Sequence, residues 1–164
     1  MNYGPNIATD GLVFAIDFAN SKSHTSGSII LNDQTANQNN GTLTNGPTFS
    51  FGNGGSLDFD GLNEYIDFGQ VLEFSKNQSF SYTCWFNQPT DGGAASIIGR
   101  QSGSPAYRGP LLWSGNNKLY WRLKYDGSES ILVYNNDAHP TDIWNHIVAT
   151  YDGSSNNTGL NLYL

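Results

Sequence analysis

Three histidines, one cysteine and a thin set of carboxylates are the groups in this sequence that could do acid–base, nucleophilic or metal chemistry. His146 stands in WNHIVATYDG, Trp144 to Gly153. An imidazole there would serve as a general base if a serine or cysteine nucleophile stood within reach. The run alternates, however, with Asn145, Ile147, Ala149 and Tyr151 on one face and Trp144, His146, Val148 and Thr150 on the other. That is a strand entering an Asp152-Gly153 turn. The single thiol, Cys84, lies in the apolar run FSYTCWF and reads as buried and inert. His146 therefore reads as scaffold, a semi-buried imidazole bonded to a neighbouring strand or loop. His24 and His139 fall in loops, and no two histidines have the spacing of zinc ligands.

Glycoside hydrolysis needs two carboxyl groups flanking one bond. The nearest pair is in Glu64-Tyr65-Ile66-Asp67, with Glu73 beyond it. Glu64 and Asp67 differ by an odd number, so a strand points them to opposite faces. Glu129 stands alone in GSESI. The chain reads as a non-enzyme.

Saccharide binding asks for different groups, aromatic rings to stack on and amides to meet hydroxyls. The segment SPAYRGPLLWSGNNKLYWRLKYDGSESILVY is rich in both, with Tyr107, Trp113, Trp121, Tyr125 and Tyr134 beside Arg108, Asn116 and Asn117. From this segment Tyr107, Arg108, Trp113, Asn116, Asn117, Trp121 and Tyr125 form the candidate ligand-binding set. Trp121 and Leu123 share one strand face, and Tyr120 and Arg122 the other. One of these sets is core and the other is free to be exposed; the spacing leaves open which. A packed interface with a partner protein would use the same residue types.

These groups must be held by short strands. Apolar runs at 11–19, 56–60, 64–68, 80–88, 95–100, 109–113, 118–125, 130–134 and 160–164, together with the opening stretch, alternate with turn signals such as NG, DG, DGG and GNN. No segment keeps apolar residues at helical spacing for three turns. The fold class is all-β, antiparallel, a sandwich or barrel in one domain of 164 residues. Residues 20–47 read as a long polar surface excursion anchored by Ile29 to Leu31.

Charge narrows the partners. Fourteen acidic residues against seven basic ones give a formal charge of −7, and the cations form no evident stripe, which excludes nucleic acid. No apolar run approaches the ~20 residues needed to span a bilayer, and the start lacks the regions of a secretory leader. Three tripeptides, at Asn40, Asn77 and Asn156, match the N-glycosylation acceptor, and without a leader they read as silent.

Several stretches together carry a resemblance: the run from Asn20 to Phe49, then GNGGSLDFDGLNEYIDFG, QSFSYTCWFNQ, WNHIVATYDG and LNLYL. Their order and spacing resemble the laminin G-like group of concanavalin A-like jelly rolls, over nearly the whole chain from Gly11 to Leu164. Phe80 to Trp85 matches an F-T-x-x-x-W pattern with Ser81 for threonine, and Trp144 to Gly153 matches W-x-H-V-A-x-x-Y-D-G with Ile147 for the valine and Val148 for the alanine. The resemblance implies an antiparallel two-sheet jelly-roll sandwich. Such folds also host glycosidases with E-x-D-x-x-E on one strand, a pattern this chain lacks. The family continues past this point with more strands, so the sequence reads as the N-terminal portion of a longer polypeptide, or as one whose last strands a partner supplies.

The resemblance also suggests a rim calcium site, for which Asp60, Asn63, Glu64 and Asp152 are the candidates. Against it, Asp60 and Asp152 each precede a glycine and suit turn-capping. Asn- and Gly-rich modules of this kind resemble those on structural proteins of tailed bacteriophages. The implied function is a non-enzymatic module on the virion surface, in a capsid decoration or fibre, binding glycans or other virion proteins as a homo-oligomer. A bacterial cell-surface or extracellular lectin is the alternative, and a glycoside hydrolase-like domain a weaker one.

Overall fold

The computed structural model describes residues 9–90, 93–100, 109–125 and 130–164. Its regular elements are strands, apart from two single 3-10 turns, and every pairing is antiparallel. The expected fold class is therefore the observed one. The chain forms two compact units, Met1–Glu73 and Phe74–Leu164.

In the N-terminal unit, β1 (Ile30–Leu31), β2 (Gly41–Thr44) and β5 (Tyr65–Asp67) form one sheet, and β3 (Thr48–Ser50) pairs with β4 (Ser56–Asp58). The segment 20–47 is more than a surface excursion, since it supplies β1 and β2. Leu31 is fully buried, whereas Ile29 and Ile30 are exposed, so the anchor is one residue.

The run 11–19, expected as a strand, has no ladder partner. Side chains bond much of its backbone instead, beside a backbone bond from the Gln34 N–H to the Ala15 carbonyl. Asp33 Oδ1 accepts from the Ala15 N–H at 3.0 Å, Ser23 Oγ accepts from Asp17, and the Asn37 and Asn39 amides donate to the Val13 carbonyl. Asp33 also accepts from the Thr35 hydroxyl and from the Thr35 and Asn39 N–H groups. An Asx-rich loop has replaced a neighbouring strand as hydrogen-bond partner, which apolar periodicity does not report.

In the C-terminal unit, β6 (Phe80–Asn87), β11 (Trp144–Tyr151) and β12 (Leu160–Tyr163) form a three-stranded sheet in the order β12-β11-β6. β7 (Ala95–Gly99), β8 (Gly109–Gly115), β9 (Lys118–Lys124) and β10 (Ser130–Tyr134) form a four-stranded one in the order β10-β9-β8-β7. The two sheets face each other across Leu112, Leu119, Trp121, Tyr82, Ile147 and Ala149, all buried. Trp121 meets Phe80 and Tyr82 edge-on, and its indole N–H donates to the Thr150 carbonyl of the opposite sheet at 3.1 Å. That bond satisfies the one polar atom such a buried ring carries. Burial pushes the Tyr82 phenol up to about 12, with the Arg100 charge pulling the other way.

Candidate functional site

Every second residue of β9 enters this core, and strand geometry sends the others outward. Leu119, Trp121 and Leu123 are buried, while Lys118, Tyr120, Arg122 and Lys124 lie on the opposite face. The antiparallel register then sets Trp113 of β8, Tyr120 of β9 and Tyr134 of β10 in one row across three strands. Trp113 and Tyr120 stack with centroids 4.8 Å apart, and Tyr134 follows at 5.7 Å with half its surface exposed.

Two cations brace this ladder. The Arg122 guanidinium lies 5.4 Å from the Trp113 ring centroid and the Lys118 ammonium 5.7 Å from that of Tyr134, both within cation–π range. Arg122 Nε is shielded from solvent and has no hydrogen-bond partner among the described residues. A planar cation held beside aromatic rings suits a carboxylate-bearing ligand. Lys118, Arg122 and Lys124, spaced four and two residues apart, share this outer face of β9.

The other candidates divide. Trp113 is on the ladder. Trp121 is a core residue, a correction to the candidate ligand set, because the opposing sheet covers the face it shares with Leu123. Tyr125 is half-buried, with Lys76 5.4 Å above its ring, and its hydroxyl donates to the Tyr151 hydroxyl at 2.7 Å; burial and that bond push its phenol upward. Asn116 and Asn117 form the two-residue β8–β9 turn, with φ of 51° and 56°. Asparagine tolerates this left-handed geometry, so the turn accounts for both. Tyr107 and Arg108 lie outside the described residues, as do Glu129 and the opening stretch. Tyr120, Arg122, Lys118 and Tyr134 were missing from the set. Only knowledge of which face the second sheet covers could have chosen them.

His146 is exposed on the outer face of β11, where its Nε2 lies 2.9 Å from Thr83 Oγ1 of β6 and its ring 4.9 Å from that of Trp85. It bonds the neighbouring strand as expected, but it is not semi-buried. The rest of the WNHIVATYDG motif is scaffold. The Asn145 amide donates to the Pro140 and Ile143 carbonyls. The Tyr151 hydroxyl donates to the Lys76 carbonyl and accepts from Tyr125 and from the Ser155 N–H, filling its donor and both acceptor sites. Gly153 has φ +86°, and a Cβ there would meet the Asn77 carbonyl oxygen at 2.7 Å.

The structure also holds a serine–histidine contact, Ser114 Oγ to His139 Nε2 at 2.8 Å, with His139 Nδ1 3.0 Å from the Pro140 carbonyl. Both residues are almost wholly buried, so no substrate carbonyl can reach the hydroxyl. Burial raises the Cys84 thiol to about 11, in keeping with an inert group.

Of the calcium candidates, Asp60, Asn63 and Glu64 belong to the N-terminal unit and Asp152 to the C-terminal one. Glu64 Oε2 accepts from the Asp60 N–H, Asp60 Oδ1 from the Leu62 N–H, and Asp152 Oδ1 from the Ser154 N–H. The Ser154 bonds hold the Asp152 carboxyl below its ordinary value. The Asn63 carbonyl accepts from the Asn45 amide. Among the described residues no three His, Cys, Asp or Glu side chains gather around one point. No described helix is long and apolar enough to cross a membrane.

A family model described as the concanavalin A-like lectin/glucanases superfamily, laminin G type, matches residues 59–164. No curated protein and no solved structure gives a significant match.

Proposed function

The chain belongs to the laminin G-like family of the concanavalin A-like lectin/glucanases superfamily, and from that premise we propose that it is a saccharide-binding surface module without catalytic activity. The Trp113–Tyr120–Tyr134 ladder with Arg122 and Lys118 at its sides is the observation that carries this reading. Tyr134, half exposed at the end of the stack, offers apolar surface to the C–H face of a sugar, and the two cations favour units bearing a carboxylate. The rest of the protein is acidic, so this local pairing must overcome long-range repulsion, which makes binding selective for ligands that reach the face. Rings and cations make the contacts, so no metal ion is required there, and the candidate calcium residues enter only as turn-formers.

We place the module on a virion surface, as a homo-oligomeric decoration or fibre element of a tailed bacteriophage, where weak single contacts multiply. The support for that placement is the likeness of its Asn- and Gly-rich sequence to phage structural modules. An array of neutral, uronate-containing and sulfated glycans, probed with calcium and again with chelator, tests the reading. Saturable binding to acidic glycans in both conditions is expected. A blank array would leave a purely structural module.

A further inference from the structure

The outer face of the β6-β11-β12 sheet lies on the far side of the C-terminal unit's core from the ladder, and it presents Trp85 with 64% of its surface exposed. An indole placed so openly gains little from packing. Its ring is fixed all the same. His146 lies directly opposite in register with its ring tilted 36° to that of Trp85, and the His146–Thr83 bond fixes the imidazole in turn. Asn87 lies next to Trp85 along β6, while Tyr163 and Asn161 share the face on β12, both exposed.

None of the outward positions of these three strands carries a carboxylate, an ammonium or a guanidinium. In an acidic protein, a face with aromatic rings, hydroxyls and amides but no fixed charge matches a ligand that is itself uncharged, hydroxylated and apolar on one side. A packed subunit interface would ask for contiguous apolar area, whereas here Ser81, Thr83, Asn87, Thr150 and Asn161 share the face with Trp85, Trp144, Val148 and Tyr163.

We infer that Trp85, His146 and Thr83 form a second saccharide subsite, for a neutral pyranose that stacks on the indole and bonds its hydroxyls to the imidazole, the Thr83 hydroxyl and the Asn87 amide. The choice of a saccharide rests on the proposed function, but the neutral class rests on this face alone. The C-terminal unit then carries two unlike subsites on opposite sheets, able to link an acidic glycan to a neutral one.

The test titrates cello-, malto-, manno- and chitotetraose into wild-type protein and into Trp85→Ala, Trp85→Phe and His146→Ala by calorimetry, with near-UV circular dichroism to check the fold. Trp85 is exposed, so its truncation leaves the fold intact. At least one neutral oligosaccharide should bind, with affinity falling tenfold or more in Trp85→Ala, recovering in part in Trp85→Phe, and unchanged in Trp113→Ala/Tyr134→Ala. Binding of an acidic glycan at the ladder should be untouched by Trp85→Ala, so the two subsites fail separately. No binding by any of the four sugars, binding indifferent to Trp85→Ala, or a Trp85→Ala effect confined to oligomer mass would overturn the inference.

Discussion

Trp113 and Tyr120 face each other across β8 and β9 with ring planes 11° from parallel, while Trp121, one residue further along, is sealed in the core on the other side of the same sheet. That inversion between neighbours separates stability from binding in this unit. Trp121→Ala should cost about 3–5 kcal/mol by the large cavity it leaves, and Tyr134→Ala less than about 1 kcal/mol. Chemical denaturation of the two variants compares them directly; a Tyr134→Ala loss as large as that of Trp121→Ala would place Tyr134 in the core.

The β8–β9 turn offers a second test. With φ of 51° and 56°, Asn116 and Asn117 sit where a β-branched residue is strained. Asn117→Gly should leave stability and ladder binding within about 0.5 kcal/mol of wild type, whereas Asn117→Val should lose about 1–2 kcal/mol. If Asn117→Gly kept its melting temperature but lost saccharide binding, the amide would be a ligand contact after all.

Much of the fold was legible because alternation survives wherever one sheet face is buried. The two faces of β11, with Asn145, Ile147, Ala149 and Tyr151 on one and Trp144, His146, Val148 and Thr150 on the other, were readable from spacing alone. Alternation has no sign, however. It separated Tyr120 and Arg122 from Trp121 and Leu123 without saying which pair faced the core, and that choice depends on Phe80 and Tyr82 of the opposite sheet. The run 11–19 misled for the complementary reason, its apolar residues being held by Asp33 and its neighbours rather than by a paired strand.

Asp33 makes the N-terminal unit sensitive to acid. Burial, the largest single influence, raises its carboxyl, but the Thr35 hydroxyl and the Thr35, Ala15 and Asn39 N–H groups together hold it below its ordinary 3.8. A carboxyl lowered by folding adds stability above the unfolded value, and that stability is lost as pH falls through the folded value. Hydrogen exchange at the Ala15, Thr35 and Asn39 amides should therefore accelerate below about pH 4 relative to other amides of the unit. In Asp33→Asn that acid-specific loss should vanish, with exchange already faster at pH 7; an unchanged acid profile in the variant would assign the effect elsewhere.

Cys84, half-buried in β6, should behave as an unreactive thiol. With its thiol raised to about 11, it should resist an aromatic disulfide reagent at pH 8 in the native protein and react fully once unfolded. Rapid native labelling would show that the core around β6 opens readily.

The most direct measurement is calorimetric titration of tetragalacturonate into wild-type protein and into Arg122→Gln and Trp113→Ala/Tyr134→Ala, in chelator and at low salt. The ladder account predicts saturable binding by the wild type, weakened about tenfold by Arg122→Gln and further by the double variant, with an affinity that falls as salt rises. Equal binding by all three folded proteins would contradict it, as would no binding by the wild type.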